Sequence, residues 1–122
     1  MPADSLSDLA ARYFQAFVAR ERKFYEDTLA DDFTFSSPLD DHIDKAAWFA
    51  RCWPNGERMK SIEVERTFEN GAEVCVRYKA ELTNGKLIRN TEIFRFEGAK
   101  LAEVDVYFGR TLREAPDTGD RA

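Results

Sequence analysis

Two polar residues that share a strand face with core residues are the strongest candidates for chemistry in this chain. Along residues 86–97 the even positions read Ile88, Asn90, Glu92, Phe94 and Phe96. Side chains two apart on a strand point the same way, so Asn90 and Glu92 point where three large apolar groups point. A carboxyl group in such surroundings is costly unless it is paired, hydrogen-bonded or protonated. Glu92 is therefore either a buried acid that meets a ligand or a structural partner of Arg66 or Tyr78. Asn90 either orients a ligand carbonyl or satisfies backbone where the sheet bends. Arg66 either binds an anionic ligand group or neutralises Glu92.

A second group of residues able to move protons is Asp40-Asp41-His42-Ile43-Asp44. His42 titrates near neutrality, and Asp40 or Asp41 could act as a base from this loop. The alternative is a solvated loop that ends in a helix N-cap at Asp44. Trp48, Phe49 and Trp53 form either the wall of an apolar cavity or ordinary core. Metal chemistry is not expected. The chain has one His, and Cys52 and Cys75 stand alone with no CxxC pattern, so a zinc site and any cofactor are left out of the reading.

These residues need elements to hold them. Leu6, Leu9, Ala10, Tyr13, Phe14 and Phe17 recur at the spacing of one helix face. A short helix over 21–29 follows, then a strand over 33–37 closed by Pro38. A third helix is expected over 45–52, where Pro54 prevents it continuing. Four strands are predicted over 60–69, 73–82, 87–97 and 101–108. Asn70-Gly71, Asn84-Gly85 and Gly98 mark the turns between them. Short connections predict an antiparallel meander.

Keeping the apolar residues on one face fixes a register, because a one-residue slip flips every side chain. That register places Tyr78 opposite Glu92, Val106 on the other side of Glu92, and Asn90 beside Phe108. Arg66 then shares the inner face. On the outer face it pairs Glu63 with Lys79, Glu65 with Arg77, Glu81 with Arg89, and Arg95 with Glu103, each pair contributing about 0.2–1 kcal/mol. That face is solvated or forms a partner interface.

Length and charge narrow the classes. A chain of 122 residues is one domain with a real core. The net charge of −5 and the absence of a basic stripe exclude nucleic acid as an expected partner. Apolar runs are too short for a bilayer span, so no membrane partner is expected. The first residues lack the pattern of a signal peptide, which points to the cytoplasm. Residues 110–122 read as a loose tail.

With these elements in order, the chain resembles the SnoaL-like and ketosteroid isomerase-like branch of the nuclear transport factor 2-like superfamily. The resemblance rests on Tyr13 within Ala-Arg-Tyr-Phe-Gln-Ala-Phe, on Ala30-Asp-Asp-Phe-Thr-Phe-Ser-Ser-Pro38, on Glu92-Ile-Phe-Arg-Phe96 and on Val106-Tyr-Phe-Gly109. It covers residues 5–109, so residues 1–109 form a single SnoaL-like domain. It implies an α+β fold: a cone-shaped barrel of curved antiparallel sheet wrapped by three N-terminal helices, usually a homodimer through the outer sheet face. It also implies an oxyanion hole made of a helix Tyr, matching Tyr13, and a protonated strand acid, matching Glu92. The isomerase's general base falls on Ser37, which cannot shuttle a proton as a carboxylate does. Epoxide hydrolase-like relatives use an Asp-Arg-Asp set, of which Arg66 and Glu92 match part.

Two function classes follow. One is a binding module for a small apolar molecule. The other is a cofactor-independent isomerase, cyclase or hydratase acting on a polyketide- or steroid-like substrate. In the second, Glu92 and Tyr13 polarise an oxygen while Asp40 and His42 move the proton. Asn90, Arg66, Tyr78, Trp48, Phe94, Val106 and Phe108 would line the site in either case.

Overall fold

The computed structural model describes residues 5–116. Helix α1 spans Leu6–Ala19 and α2 spans Arg22–Thr28. The Ser5 side chain caps α1 by accepting from the Asp8 amide. Strand β1 covers Leu29–Ser37, β2 Asp40–Asp44, and α3 Lys45–Arg51. Asp44 caps α3 by accepting from the Ala47 amide. A 3-10 turn, Trp53–Arg58, follows where Pro54 blocks the helix. Strands β3 (Met59–Asn70), β4 (Glu73–Leu82), β5 (Leu87–Glu97) and β6 (Lys100–Arg113) complete the chain. No helix among the described residues is long and apolar enough to cross a membrane.

The six strands form one curved sheet in the order β2-β1-β6-β5-β4-β3. The fold is α+β, with the helices packed on the concave face. Three expectations need correction. The sheet does not close into a barrel, because β2 and β3 remain separate edges. Its pairs are antiparallel except β1–β6, which is parallel. Residues 40–44, expected as a loop, pair with β1 as a strand. The tail boundary also moves: β6 runs on to Arg113, with Arg89 beside Arg110 and Leu87 beside Arg113. Residues 117–122 of the expected tail lie outside the described residues.

Hairpin geometry explains where the register departs from expectation. Between β4 and β5 the Leu82 amide donates to the Lys86 carbonyl, leaving the three-residue loop Thr83-Asn84-Gly85. Gly85 takes φ 94° there, a conformation that favours glycine. This loop sets Tyr78 opposite Asn90 and Val76 opposite Glu92. The shift is two residues, so every side chain keeps its face while its partner changes. The expected Val106–Glu92 and Phe108–Asn90 pairings are present.

Between β3 and β4 the turn has two residues, Gly71-Ala72, which pairs Asn70 with Glu73. Continued unbroken, that register would turn Ile62 and Val64 outward. A bulge between Val64 and Arg66 absorbs one residue and restores them to the inside. The turn register itself holds Arg66 beside Arg77 on the outer face, so the expected inner-face position of Arg66 is wrong. The outer-face pairs shift accordingly. Glu63–Lys79 and Arg95–Glu103 form as expected, and Arg77 meets Glu65. Arg89 reaches past β4 to grip Glu65 with two bonds of 2.8 and 3.0 Å, in place of Glu81. Glu81 instead meets Lys60 and Arg113.

The core lies between α1–α3 and the concave sheet face. Tyr13, Phe33, Leu29 and Leu101 are almost fully enclosed. Tyr25 and Trp48 stack with ring centres 5.0 Å apart. Phe17 and Trp53 pack edge to face at 5.8 Å. Such contacts add to the area burial of these large rings.

Candidate functional site

The core is not filled to its end. A cavity of about 210 Å³ opens between the helices and the concave face of the sheet. Leu39 and Phe108, both more than half exposed, also border the cavity and mark its mouth. The deep wall is aromatic, with Phe14, Tyr25, Phe33 and Trp48. Polar lining groups are Ser37, Asp40, Cys52, Asn55, Tyr78, Asn90 and Glu92.

Three of these are wired together. The Gly109 amide donates to Asn90 Oδ1 at 3.0 Å. Asn90 Nδ2 donates to the Tyr78 hydroxyl at 3.3 Å. Tyr78 in turn donates to Glu92 Oε2 at 2.6 Å. The chain has one direction. A backbone N–H can only donate, so Asn90 must accept through its oxygen and donate through its nitrogen. The Tyr78 proton is thereby directed at Glu92. Gly109 makes this possible by its lack of a side chain: a Cβ there would lie 2.0 Å from the Arg89 carbonyl oxygen.

Tyr78 is the single hydrogen-bond partner of the Glu92 carboxyl among the described residues. Glu92 is partly buried and lines the cavity. Burial raises its pKa from the usual 4.5 to about 7, against the opposing pull of the Tyr78 bond. The same enclosure, reinforced by the nearby Glu92 charge, lifts Tyr78 well above the ordinary phenol value.

Asp40 also lines the cavity. Its carboxylate pairs with Arg51 of α3, and Ser37 Oγ stands 3.5 Å from its other oxygen. Cys52 borders the same space as a free, buried thiol. Burial, helped by Asp40, pushes it up to about 11, which keeps it protonated and unreactive at neutral pH. Among the described residues, no group of three His, Cys, Asp or Glu side chains converges as metal ligands would.

The sequence-derived candidates thus divide. Glu92, Asn90, Tyr78, Asp40, Trp48, Phe94, Val106 and Phe108 all line the cavity. Tyr13 lines it through its ring, but its hydroxyl is sealed and has no hydrogen-bond partner among the described residues. That hydroxyl lies by Thr28 and the Leu101 backbone; burial outweighs both and raises it to about 12. Tyr13 and Glu92 therefore share no hydrogen bond among the described residues, and the phenol bonded to Glu92 is that of Tyr78. His42 is outside the cavity, bonded to Asp41 at 2.6 Å and facing Glu103 on the surface. The strand β2 carries alternate residues to opposite faces, so placing Asp40 inside also places His42 on that inner parity; its φ of 50° breaks the alternation and turns it away. Arg66 is turned to the outer face by the register of the β3–β4 turn.

Sequence reasoning missed Cys52 and Asn55 as lining residues. Asn55 sits in the 3-10 turn, where no periodicity marks a face. Phe14 and Phe17 were legible as an apolar stripe, although nothing in that stripe separates cavity wall from filled core.

Comparison with known proteins agrees with this architecture. The profile of the SnoaL-like domain family matches residues 10–104. No curated protein matches the sequence significantly. An NTF2-like protein of unknown function from Cytophaga hutchinsonii superposes with a TM-score of 0.69 at 26% identity, covering 89% of this chain and 95% of that one. An LEH-like epoxide hydrolase from M. tuberculosis gives 0.71 at 14% identity, covering 84% and 76%. A ketosteroid isomerase-like protein from Kribbella flavida gives 0.69 at 16% identity, covering 90% and 82%. The last two likenesses speak to the fold alone. The family match spans most of the chain and includes the strands that carry Tyr78, Asn90 and Glu92: the chain belongs to the SnoaL-like domain family.

Proposed function

We propose that the cavity binds a small, largely apolar molecule and that Glu92 is its polar anchor. The observation that carries this reading is the state of the Glu92 carboxyl. One oxygen accepts from Tyr78, and the other has no hydrogen-bond partner among the described residues where the side chain lines the cavity. A partly buried carboxyl oxygen that opens on a largely apolar cavity is free to accept a hydrogen bond from a ligand. Trp48 in the wall supplies the readout. Ligand titrations followed by tryptophan fluorescence should show Glu92→Gln weakening binding about tenfold, the loss of one charge-assisted bond. Unchanged binding with a sharply lowered melting temperature would make Glu92 a structural residue.

A second reading has its own support. Asp40 and Glu92 are two carboxyl groups on one cavity in unlike surroundings, one paired with Arg51 and the other facing apolar walls. Such a difference is how one site keeps a base and an acid together. Asp40 would take the role that Ser37 cannot, and the chemistry would be a cofactor-independent isomerisation, cyclisation or hydration of a polyketide- or steroid-like substrate. Asp40→Asn abolishing turnover while sparing ligand binding would favour this reading over simple binding.

The partner and location follow the same proposal. A homodimer through the outer sheet face is supported by exposed Phe68 and Tyr107 on that face. Two unpaired thiols suit the cytoplasm.

A further inference from the structure

The geometry points to a positively charged guest: a small apolar amine held as its ammonium ion against Glu92, an inference that rests on the cavity being a binding site.

The first argument is the charge of the lining. Among the described residues it contains two carboxyl groups and no Lys, Arg or His. Asp40 is already matched by Arg51. Glu92 has no such match, because Arg66 is on the other face of the sheet. The titratable groups that surround it are Tyr13 from α1, Tyr25 from α2, Cys52 after α3, Asp40 from β2 and Tyr78 from β4. All are neutral or negative in every protonation state. The described lining thus offers no positive charge to this carboxyl, and a guest can. An anionic guest would instead set like charges together in a poorly solvated space.

The second argument is the wall. Ten of the 23 lining residues are aromatic. Phe14 lies 4.6 Å from the Tyr78 ring and 5.6 Å from Phe94, so three rings cluster on the side of the sheet that carries Glu92. Ring faces attract cations, most strongly where water is excluded.

The third argument is hydrogen-bond direction. The series from Gly109 through Asn90 and Tyr78 delivers donors to Glu92 and ends on an acceptor. The carboxylate's open oxygen is a further acceptor, so its complement is a donor. An ammonium N–H supplies both the proton and the charge. Size agrees: an apolar cavity of about 150 Å³ holds benzene, so about 210 Å³ holds one ring with a short amine arm.

The test uses three probes of similar shape with the full chain: N,N-dimethylbenzylamine as its ammonium ion, the neutral isobutylbenzene, and phenylacetate. Binding is read by tryptophan fluorescence and calorimetry at about pH 6 and pH 8, bracketing the value of about 7 for Glu92. The amine should bind at least tenfold more tightly than isobutylbenzene at the higher pH, and phenylacetate least of all. Its advantage should shrink at the lower pH, where Glu92 is protonated, and vanish in Glu92→Gln while isobutylbenzene binding persists. Tyr78→Phe provides a check that keeps the carboxyl. Losing the donor to Oε2 makes ionisation harder, so the pH midpoint of amine binding should move up. Equal or tighter binding of isobutylbenzene or phenylacetate, an amine preference that survives Glu92→Gln, or an unmoved midpoint in Tyr78→Phe overturns the cationic guest and leaves the binding site standing. Failure of all three probes to bind overturns both.

Discussion

Glu92 ties stability to pH. Its carboxyl has an ordinary value of 4.5 and a folded value of about 7. Between those values the folded protein keeps a proton that the unfolded chain has released, so stability falls as pH rises. The contribution is complete below 4.5 and gone above about 7. A shift of this size corresponds to about 3 kcal/mol. Glu92→Gln removes the dependence, and urea denaturation should show the variant gaining about that much on the native protein between pH 4.5 and pH 8. A difference that stays flat across this range would contradict the burial argument. Tyr13 gives an opposite kind of test. Its hydroxyl is buried without a hydrogen-bond partner among the described residues, and an unsatisfied buried group costs about 1–3 kcal/mol. Tyr13→Phe should therefore be neutral or stabilising by roughly 1 kcal/mol, with ligand binding unchanged. A tenfold loss of binding would mean that the hydroxyl reaches the guest after all. Glu92 was legible in the sequence because its apolar company is a matter of strand parity, and parity survived the two-residue shift of β4 against β5. Tyr13 was legible as a wall and not as a sealed group, since a stripe of residues says nothing about where a hydroxyl ends.

At the scale of elements, loops decided what the pattern of strands left open. The runs over 73–82 and 87–97 were readable end to end, and both are strands with those bounds. Their pairing was not readable, because a three-residue and a five-residue loop leave the same faces inward. Arg66 was lost for a related reason. Alternation places it with Val64, and only the parity imposed by the two-residue turn at Gly71-Ala72 demands a bulge before it. Strand β2 was missed because five residues with three acids do not alternate between apolar and polar. Gly109 tests how firmly β6 is held at the cavity. A methyl group there would meet the Arg89 carbonyl oxygen, a backbone atom that cannot swing aside. Gly109→Ala should cost at least about 2 kcal/mol in a thermal melt. The strands must part to admit it, so the amide bond to Asn90 should lengthen and binding should weaken with stability. A variant as stable as the native protein would show that β6 shifts freely.

For the molecule as a whole, the helices cover one face of the sheet and leave the other to solvent or to a second copy. That outer face carries Phe68 at 62% and Tyr107 at 56% exposure among its ion pairs. A standard interface over it would hold at about tens of micromolar or below. Light scattering at that concentration should give twice the mass of the chain, and Tyr107→Glu should return it to one. A monomer throughout would remove the dimer from the proposal. The open edges of the same sheet have a different consequence. Among the described residues β3 has β4 on one side and no strand on the other, which leaves a row of backbone groups able to pair with a stranger. Its sequence resists this: Lys60, Glu63, Glu65, Arg66 and Glu69 put charge along the edge, and the bulge between Val64 and Arg66 twists it out of line. The kink that returns Ile62 and Val64 to the inner face thus also guards the chain against growing into fibres, edge upon edge.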